Sequence, residues 1–513
     1  MLADLRRIAA ARRAPAYGPP GAGSAGISRR ELLVRGGALG GAALLAAPGA
    51  SLARRGGARD ERVVIVGAGL AGLTCAYRLA RRGVRATVFE ASERVGGRCW
   101  TARGWADGQV AEHGGEFVDT RHVRLRRLAR ELGVGLEDRV AAEDAQDGEP
   151  HSVLWLEGAQ RNSDAIFRPF AGVLERLEAD ARRIGSYRAG RARRAAREFD
   201  AMSVADWLHL NVPGGSRSLL ARAISSTQVS LFGLDPERLS AINLIETFVT
   251  PYEGADERYH LHGGSDRVVT RLAARLPRGS VRRGTPLLGL RRLSGGGYRL
   301  RFAGVRGEVA ADRVVLALPF PALRRTDLRA AGIGAEHMRA IEQLGMGTNA
   351  KLLLQFDARP VAYGGWSGEA SLDSPPTATW ESSLTQPGRS GLLTVFTGGR
   401  AGTAYPGSRS HVRAPASVVS AELRRLERFA PGISRGYSGR AWLDVWVRDR
   451  WTRGSYAAFM PGQYTRWWGA LGRREGGLHF AGEHTSTHSQ GYMDGGVESG
   501  ERAAREVLRA LGR

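Results

Sequence analysis

The chain has 513 residues, 42% of them hydrophobic and 25% charged, which is enough for two domains with substantial cores. Its two cysteines, Cys75 and Cys99, exclude a disulfide framework and form no cluster with metal-ligand spacing, so no metal site is predicted; a single bridge between them stays open. The net charge of +24 comes from arginines scattered in ones and twos, which favours a solvated basic surface over a nucleic-acid-binding stripe.

Residues 1–53 have the layout of a twin-arginine export signal. The segment 28–33 (Ser-Arg-Arg-Glu-Leu-Leu) precedes a mildly apolar stretch, 36–47, and Ser51 and Ala53 supply small residues for a cleavage site. An apolar stretch of this length is too short to span a bilayer stably. We therefore predict export to the periplasm or the extracellular space, removal of the signal near Ala53 and no stable membrane insertion. A disordered extension is the alternative.

A strand, a glycine-rich turn and a helix follow one another from residue 62. The apolar run 62–66 predicts a buried parallel strand, and the turn 67–72 (Gly-Ala-Gly-Leu-Ala-Gly) leads into a helix predicted over 73–81. Gly67 permits a tight turn, Gly69 lets the backbone approach a pyrophosphate, and Gly72 lets helix and strand pack closely. The N-terminus of the helix then faces the phosphates of a dinucleotide.

A second strand, predicted over 86–89, ends at Glu90, whose carboxylate can accept hydrogen bonds from a ribose diol. This order of strand, turn, helix, second strand and acidic residue predicts a dinucleotide site. The predicted binding residues of this unit are Gly67, Gly69, Leu70, Ala71, Gly72, Glu90 and Ala91.

Two further glycine-rich turns come next. The segment 93–98 (Glu-Arg-Val-Gly-Gly-Arg) supplies Arg98, which is suited to a pyrophosphate, and 111–117 (Ala-Glu-His-Gly-Gly-Glu-Phe) supplies the close-approach pair Gly114 and Gly115, followed by Glu116. With these turns the chain resembles the flavin-containing amine oxidase family, which includes monoamine, polyamine and L-amino-acid oxidases. The resemblance runs from about residue 62 to the C-terminus, and it implies FAD as the cofactor.

The most specific match lies near the C-terminus. Residues 478–485 (Leu-His-Phe-Ala-Gly-Glu-His-Thr) are followed by 491–500 (Gly-Tyr-Met-Asp-Gly-Gly-Val-Glu-Ser-Gly). In the family such a strand ends with its acid against FAD, and the next helix points its N-terminus at the flavin. The resemblance assigns to the cofactor Gly482, Glu483, Gly491, Tyr492, Met493 and, in a segment that holds the adenine, Leu287.

Lys351 is the only lysine of the chain, and the other 74 of its 75 basic residues are arginine. Arginine stays charged whereas a buried lysine can lower its pKa, so a retained lysine marks a place where an amine is required. A turn of mostly small residues, 344–350, leads into an apolar strand that begins with Lys351. The segment resembles the one whose lysine holds a water molecule at flavin N5 in the family, which implies a catalytic role.

Tyr456 and Tyr492 match the two tyrosines that form an aromatic cage for the amine in monoamine oxidases. Facing rings exclude water and orient the amine nitrogen. The resemblance therefore implies that these two residues and Lys351 form the catalytic set.

Two departures from the family bear on the cofactor and the substrate. Ser455 stands where covalent monoamine oxidases carry the cysteine that bonds the flavin, so we predict noncovalent FAD. Trp100 stands where several L-amino-acid oxidases carry an arginine for the substrate carboxylate. Tryptophan cannot make that bidentate pair, which favours an amine over an α-amino acid, although another arginine could supply the contact.

The predicted fold class is α/β, with a Rossmann-like FAD-binding domain assembled from discontinuous segments and an α+β substrate-binding domain. The first is predicted to comprise residues 60–120, 255–345 and 450–513, and the second residues 121–254 and 346–449. Helices are predicted over 173–183 and 188–199, and strands over 352–356 and 392–396.

The resemblance implies a small-molecule amine and O2 as partners. A hydride would pass from the carbon beside the amine nitrogen to flavin N5, O2 would take up the electrons to give H2O2, and water would convert the imine to an aldehyde or ketone and ammonia or an amine. Two alternatives stay open: an L-amino-acid oxidase on the same fold, and a binding protein without redox chemistry. A homodimer is also left open.

Overall fold

The computed structural model describes residues 61–146, 148, 150–250 and 254–513, and the predicted export signal over 1–53 lies outside these ranges. The strands are β1 Val63–Val66, β2 Ala86–Phe89, β3 Thr101–Ala102, β4 Ala111–Glu112, β5 Leu136–Asp138, β6 His151–Leu156, β7 Ala159–Gln160, β8 Tyr259–Leu261, β9 Val281–Arg282, β10 Leu287–Arg292, β11 Tyr298–Phe302, β12 Val309–Ala311, β13 Arg313–Leu316, β14 Ala350–Phe356, β15 Trp366–Asp373, β16 Pro376–Glu381, β17 Gly391–Thr397, β18 Val412–Arg413, β19 Tyr437–Val445 and β20 Leu478–Phe480. The α-helices are Leu70–Ala80, Val123–Leu132, Arg139–Asp144, Ser163–Phe167, Phe170–Ile184, Arg194–Ala201, Val204–Asn211, Leu219–Phe232, Ile242–Phe248, Asp266–Ala274, Phe320–Leu323, Ala335–Gln343, Gly399–Thr403, Ala416–Leu426, Tyr464–Trp467 and Met493–Ala510.

A five-stranded parallel sheet collects strands from distant parts of the chain, in the order β20-β13-β1-β2-β9. All four residues of β1 are buried, as expected for the central strand of a parallel sheet covered on both faces. Helix Leu70–Ala80 packs against helix Met493–Ala510, where a Cβ at Gly500 would lie 2.4 Å from the carbonyl oxygen of Ala71. The two ends of the described chain therefore meet in one unit.

The second large sheet has eight strands in the order β18-β19-β14-β17-β16-β15-β6-β7. Its neighbours are antiparallel, except that β15 and β6 run parallel. Strand β14 lies between β17 and β19 and is buried along its whole length. Helices between residues 163 and 248 supply much of the core beside this sheet.

The fold class predicted from the sequence is confirmed, and the predicted strands at 352–356 and 392–396 lie within β14 and β17. The helix predicted over 73–81 begins earlier, at Leu70, because Gly69 already serves as its N-cap. The helix predicted over 188–199 begins only at Arg194. Gly190 has a φ of 77°, a left-handed conformation that a helix cannot continue through.

Candidate active site

A cavity of about 2010 Å³ opens at the carboxyl ends of the parallel strands. Val66, Phe89 and Gly482, which end or follow strands of this sheet, form one wall, and residues of β6, β15 and β16 form another. Ligands of open α/β sheets bind at this edge. Pockets for one small molecule usually measure about 300–1,000 Å³, so this cavity has room for a dinucleotide and a second ligand.

Most of the residues predicted from the sequence line this one cavity. They are Gly67, Gly69, Leu70, Ala71, Glu90, Ala91, Arg98, Gly114, Gly115, Glu116, Leu287, Lys351, Tyr456, Gly482, Glu483, Gly491, Tyr492 and Met493. Gly72 is not among the lining residues. A Cβ at Gly72 would lie 2.0 Å from the carbonyl oxygen of Gly67, so its place in the turn is required by packing.

Glu90 is fixed at the end of β2 beside the first glycine-rich turn. Its Oε2 accepts a hydrogen bond from the amide of Ala68 at 2.7 Å, and its Oε1 accepts one from the amide of Ser92 at 2.9 Å. Helix Leu70–Ala80 begins at this turn with no acidic residue in its first turn. Gly69, Leu70 and Ala71 line the cavity, so the N-terminal end of this helix and the positive end of its dipole lie at the cavity.

Arg98 and Glu483 join the N-terminal and C-terminal motifs, although 385 residues separate them. The guanidinium donates to Glu483 Oε1 at 2.9 Å and to the carbonyl oxygen of Ser455 at 2.6 Å. Glu483 also accepts from the amides of Ala457 and Gly491. Burial raises the pKa of Glu483, but the charge and hydrogen bond of Arg98, together with His484 and the Gly491 amide, hold this pKa below its usual value.

Lys351 lies on β14, only 4% exposed, and all three protons of its ammonium group have protein acceptors. Nζ donates to the carbonyl oxygens of Glu112 at 3.1 Å and Gly114 at 2.9 Å, and to Glu116 Oε2 at 2.7 Å. The lysine thus holds the turn that carries the close-approach pair Gly114 and Gly115. A water molecule at the flavin would have to take one of these three protons.

Glu116, which the sequence assigns to the cofactor, is the counter-ion of Lys351. Its other oxygen accepts a hydrogen bond from the indole of Trp380 at 2.9 Å. Burial raises the pKa of Glu116, but the charge and hydrogen bond of Lys351, together with His260 and the Trp380 indole, hold this pKa below its usual value. Glu116 is therefore ionised in the interior of the protein, beside the Lys351 Nζ.

Tyr456 and Tyr492 both line the cavity. The Tyr456 hydroxyl donates to the carbonyl oxygen of Ser230 at 3.0 Å, and the Tyr492 ring packs on His122 with ring centroids 4.8 Å apart. Burial raises the pKa of Tyr456 far above its usual value, and the nearby Tyr492 raises it further. Tyr456 is therefore a neutral phenol at the wall of the cavity that Tyr492 also lines.

Both cysteines are free thiols and buried, so the structure contains no bridge between Cys75 and Cys99. Cys99 lines the cavity, and burial raises its pKa to about 12, so the thiol is protonated at neutral pH. At Ser455 the hydroxyl donates to Asn349 Oδ1 at 2.6 Å.

Trp100 does not lie at the cavity. Its ring packs on His113 and His411, with centroids 4.3 and 4.6 Å away, and on the guanidinium of Arg94 at 4.0 Å. The lack of an arginine at this position therefore says little about the substrate. The cavity-lining arginine beside the tyrosines is Arg121, which lies 5.9 Å from the Tyr492 ring centroid and was not predicted.

The structure brings together a cluster that the sequence does not show, formed by His113, His411 and Asp444. Nδ1 of each histidine lies 2.7–2.9 Å from Asp444 Oδ1, and His411 Nε2 lies 3.2 Å from Asp449 Oδ2. Both ring nitrogens of His411 are thus used in hydrogen bonds to carboxylates. Burial lowers the pKa of His411, but the hydrogen bonds and the charges of Asp444 and Asp449 together raise this pKa above its usual value, which fits an imidazolium between two acids.

The buried carboxyl of Glu112, which accepts from the amide and hydroxyl of Ser265, makes stability depend on pH. Burial raises the pKa of Glu112 to about 8 from a usual value of 4.5. Because the folded pKa is raised, the stability that protonation contributes is fully present below pH 4.5 and is lost as pH rises to about 8. Between these two pH values the free energy of unfolding falls by about 1.4 kcal/mol per pH unit.

We expect Glu112→Gln, whose side chain is neutral at every pH, to gain stability relative to the wild type as pH rises from 5 to 8. Urea unfolding of both proteins across this range measures the difference. Parallel stability curves for the two proteins would contradict the assignment. Glu198→Gln, at an exposed glutamate of helix Arg194–Ala201, is the control and should follow the wild type.

Comparison with known proteins decides the family. The model of the flavin-containing amine oxidoreductase family matches residues 70–508, which is most of the chain. The chain belongs to this family. Its members carry a flavin and act on small-molecule amines, so this protein is a flavin-dependent amine oxidoreductase, as the resemblance implied.

Individual relatives cover nearly the whole described chain. AofH of Mycobacterium tuberculosis, which bears the name of a flavin-containing monoamine oxidase, is 28% identical over 483 residues, covering 88% of this chain and 97% of the relative. An L-amino acid dehydrogenase of Synechocystis is 25% identical over 492 residues, covering 87% of this chain and 95% of the relative. The solved cyclohexylamine oxidase of Brevibacterium oxydans shares the fold, with a TM-score of 0.75 at 23% identity, covering 89% of this chain and all of that one.

The residues at the parallel sheet edge fit the FAD that the family implies. A Cβ at Gly69 would meet no described atom within 4 Å, so the backbone of the first turn is open to a ligand. Glu90 directly follows β2 and lines the cavity, where its carboxylate could accept from a ribose diol, and helix Met493–Ala510 adds a second N-terminus at the cavity. Within the described ranges, no helix has the length and apolar character needed to cross a bilayer.

Proposed function

We propose that the protein is an FAD-dependent amine oxidase that converts an amine, O2 and water into an aldehyde or ketone, ammonia or an amine, and H2O2. The observation that carries the proposal is one continuous cavity that joins the nucleotide-binding turns to Lys351 and the two tyrosines. Bound FAD would accept a hydride from the carbon beside the amine nitrogen and pass both electrons to O2.

The side chains around the reacting amine have distinct roles in this proposal. Tyr456, whose phenol burial keeps neutral, and Tyr492 exclude water and orient the nitrogen of the unprotonated amine. The nitrogen lone pair then supports the developing iminium. Lys351 holds the Gly114 turn in place, and one of its three donated protons would turn to the water that serves the reaction with O2.

The cofactor is proposed to be noncovalent, since Ser455 offers a hydrogen-bonded hydroxyl and the Cys99 thiol at the cavity is protonated. We also propose that residues 60–120, 255–345 and 450–513 form the FAD-binding domain. Residues 121–254 and 346–449 then form the substrate-binding domain. Export by the twin-arginine route, with cleavage near Ala53, would suit a protein that binds its cofactor before it is transported.

Oxidation of an L-amino acid is the second candidate. It is favoured by Arg121, whose guanidinium lies at the cavity beside Tyr492 and could pair with a substrate carboxylate. The name of the Synechocystis relative points in the same direction. In this reading the product would be a 2-oxo acid with ammonia and H2O2.

The test is anaerobic flavin absorbance of the purified protein during addition of aromatic amines, polyamines and L-amino acids in turn. We expect bleaching by an amine, H2O2 on admission of air, and all flavin in the supernatant after acid precipitation. Bleaching by α-amino acids alone would replace the first function by the second. A colourless protein would favour a binding protein, and flavin retained on the precipitated chain would overturn noncovalent binding.

A further inference from the structure

Three segments of the chain bring His113, His411 and Asp444 together outside the cavity. His113 directly follows β4, His411 directly precedes β18, and Asp444 lies in β19. Strands β18 and β19 pair in a register that joins Val412 to Leu443, which places His411 opposite Asp444. The three side chains are at most 10% exposed. The cluster therefore belongs to the interior, and it is separate from the residues that line the cavity.

The possible metal-ligand atoms of this cluster converge. Nδ1 of His113 lies 2.9 Å from Asp444 Oδ1, and Nδ1 of His411 lies 2.7 Å from the same oxygen. The three ligand atoms all lie within 4.8 Å of one another. A tetrahedral zinc ion with bonds of about 2.0–2.1 Å holds its ligand atoms about 3.3 Å apart. Each nitrogen would have to move only about half an ångström from the oxygen to admit the ion.

Asp449 holds the His411 ring through the second ring nitrogen. His411 Nε2 lies 3.2 Å from Asp449 Oδ2. The amides of Trp451 and Thr452 donate to Asp449 Oδ1 at 2.9 and 2.7 Å and fix this carboxylate in turn. Histidines that bind a metal commonly donate their other ring N–H to a carboxylate, which fixes the ring and its tautomer. His411 therefore has an orienting carboxylate of the kind that accompanies a metal-binding histidine.

Tryptophan rings surround the two imidazoles. Trp100 packs on His113 and His411, with ring centroids 4.3 and 4.6 Å away. The Trp442 centroid lies 5.6 Å from that of His113, and the Trp446 centroid lies 4.7 Å from that of His411. An apolar surround limits the access of water and lowers the local dielectric constant. The attraction between an ion and its ligands is stronger in such surroundings.

The backbone of His411 adopts the left-handed conformation, with a φ of 58°. This conformation costs a residue with a side chain about 1–2 kcal/mol. The Ser410 hydroxyl accepts a hydrogen bond from the amide of Val445 at 2.9 Å and ties the segment to β19. Backbone strain of this kind occurs where a side chain is held toward a ligand. Residues 406–409, just before this segment, are exposed and offer an ion a path to the cluster.

We propose that His113, His411 and Asp444 bind one Zn²⁺ ion, with a water molecule in the fourth position. Zn²⁺ takes imidazole nitrogen and carboxylate oxygen as ligands, and sites with three protein ligands keep one open position. On binding, Nδ1 of each ring gives up its proton and coordinates the ion through its lone pair. His113 then carries its ring proton on Nε2, and His411 keeps the Nε2 proton that it donates to Asp449. Gly114 follows His113 and lines the cavity, so the ion joins the cavity wall to β18 and β19.

The test counts zinc on the holoenzyme, purified without a histidine tag and freed of metal by a chelator. Equilibrium dialysis against Zn²⁺, with zinc measured by mass spectrometry, should find one ion per chain with a dissociation constant below about 1 μM. X-ray absorption of the zinc-loaded wild type should show nitrogen and oxygen ligands at about 2.0–2.1 Å and no sulfur. Sulfur at about 2.3 Å would place the ion at a cysteine and overturn the inference.

Two variants and one control locate the ion. His411→Asn removes a ligand at a position where asparagine tolerates the positive φ, and it should lower zinc affinity by about 100-fold or more. Asp449→Asn keeps all three ligands and should lower the affinity about 10–100-fold. His262→Ala removes an exposed histidine that pairs with Glu137 and should leave the affinity unchanged.

Flavin content and melting temperature show whether each variant is folded, and X-ray absorption of the wild type decides the ligands if a variant is not. A wild type that binds no zinc, or binds it no more tightly than folded His411→Asn, would leave the cluster as a hydrogen-bonded network and overturn the inference. A loss in His262→Ala equal to that in His411→Asn would overturn it as well, because the ion would then lie at the protein surface.

Discussion

Replacing Lys351 by methionine is expected to lower the free energy of unfolding by about 3–5 kcal/mol. The change removes one member of a buried ion pair and leaves Glu116 with the Trp380 indole, which donates to it, and with His260, whose Nε2 lies 3.7 Å away. It also releases the carbonyl oxygens of Glu112 and Gly114. Chemical denaturation of the holoenzyme measures the loss. We expect the same variant to react more slowly with O2, with little change in amine binding.

A double variant separates the structural role of Lys351 from its catalytic role. Lys351→Met with Glu116→Gln removes both charges, so most of the lost stability should return, because no unpaired charge remains in the interior. The rate of reaction with O2 should stay low. If this rate returns together with stability, Lys351 only positions the Gly114 turn, and its proposed role at the flavin is wrong.

The second large effect is expected at Arg98. Arg98→Met leaves Glu483 buried and unpaired and releases the Ser455 carbonyl oxygen, so a loss of about 3–5 kcal/mol in unfolding free energy is expected. Flavin content should fall as well, since the ion pair holds the two cofactor motifs together. Urea unfolding and the ratio of flavin to protein absorbance measure the two effects.

Arg103 provides the matched control. It also forms one arginine–carboxylate pair, with Asp266, but its side chain is 48% exposed. Arg103→Met should cost about 1 kcal/mol or less and leave flavin content unchanged, because water already screens this pair. Similar losses of unfolding free energy and of flavin content in Arg98→Met and Arg103→Met would show that the Arg98–Glu483 pair contributes no more than an exposed ion pair.

The sequence predicted the parts of the site that depend on contiguous residues. Each glycine-rich turn is a local feature, because its backbone conformation and close contacts require glycine at fixed offsets within a few residues. Gly67, with a φ of 102°, is one example, and Gly72, which touches the same turn, is another. The strand ending at Glu90 follows from the same local pattern. These features were sufficient to predict the fold class and the resemblance to the family.

Some missed residues had a signal in the sequence that could have identified them. Glu246, which lines the cavity, belongs to a polar stripe at positions 243, 246, 247 and 250 in an otherwise apolar helix. Trp380 lies on β16, where partly exposed and buried residues alternate, and Trp380 is one of the partly exposed residues. Arg121 had no such signal among so many arginines. These patterns identify an unusual face of a helix or a strand, but they do not identify the residues or the cavity that this face contacts in the folded protein.

The amino-acid sequence by itself determined the glycine-rich turns, the buried strands and the single lysine, because each depends on residues close together in the chain. Only the tertiary structure decided that Lys351 pairs with Glu116, 235 residues away, and that Glu246 opens on the same cavity. Such contacts depend on strand order and register between distant segments. Neither composition nor spacing specifies that order, so the charges that meet in the cavity emerge only when the sheets assemble.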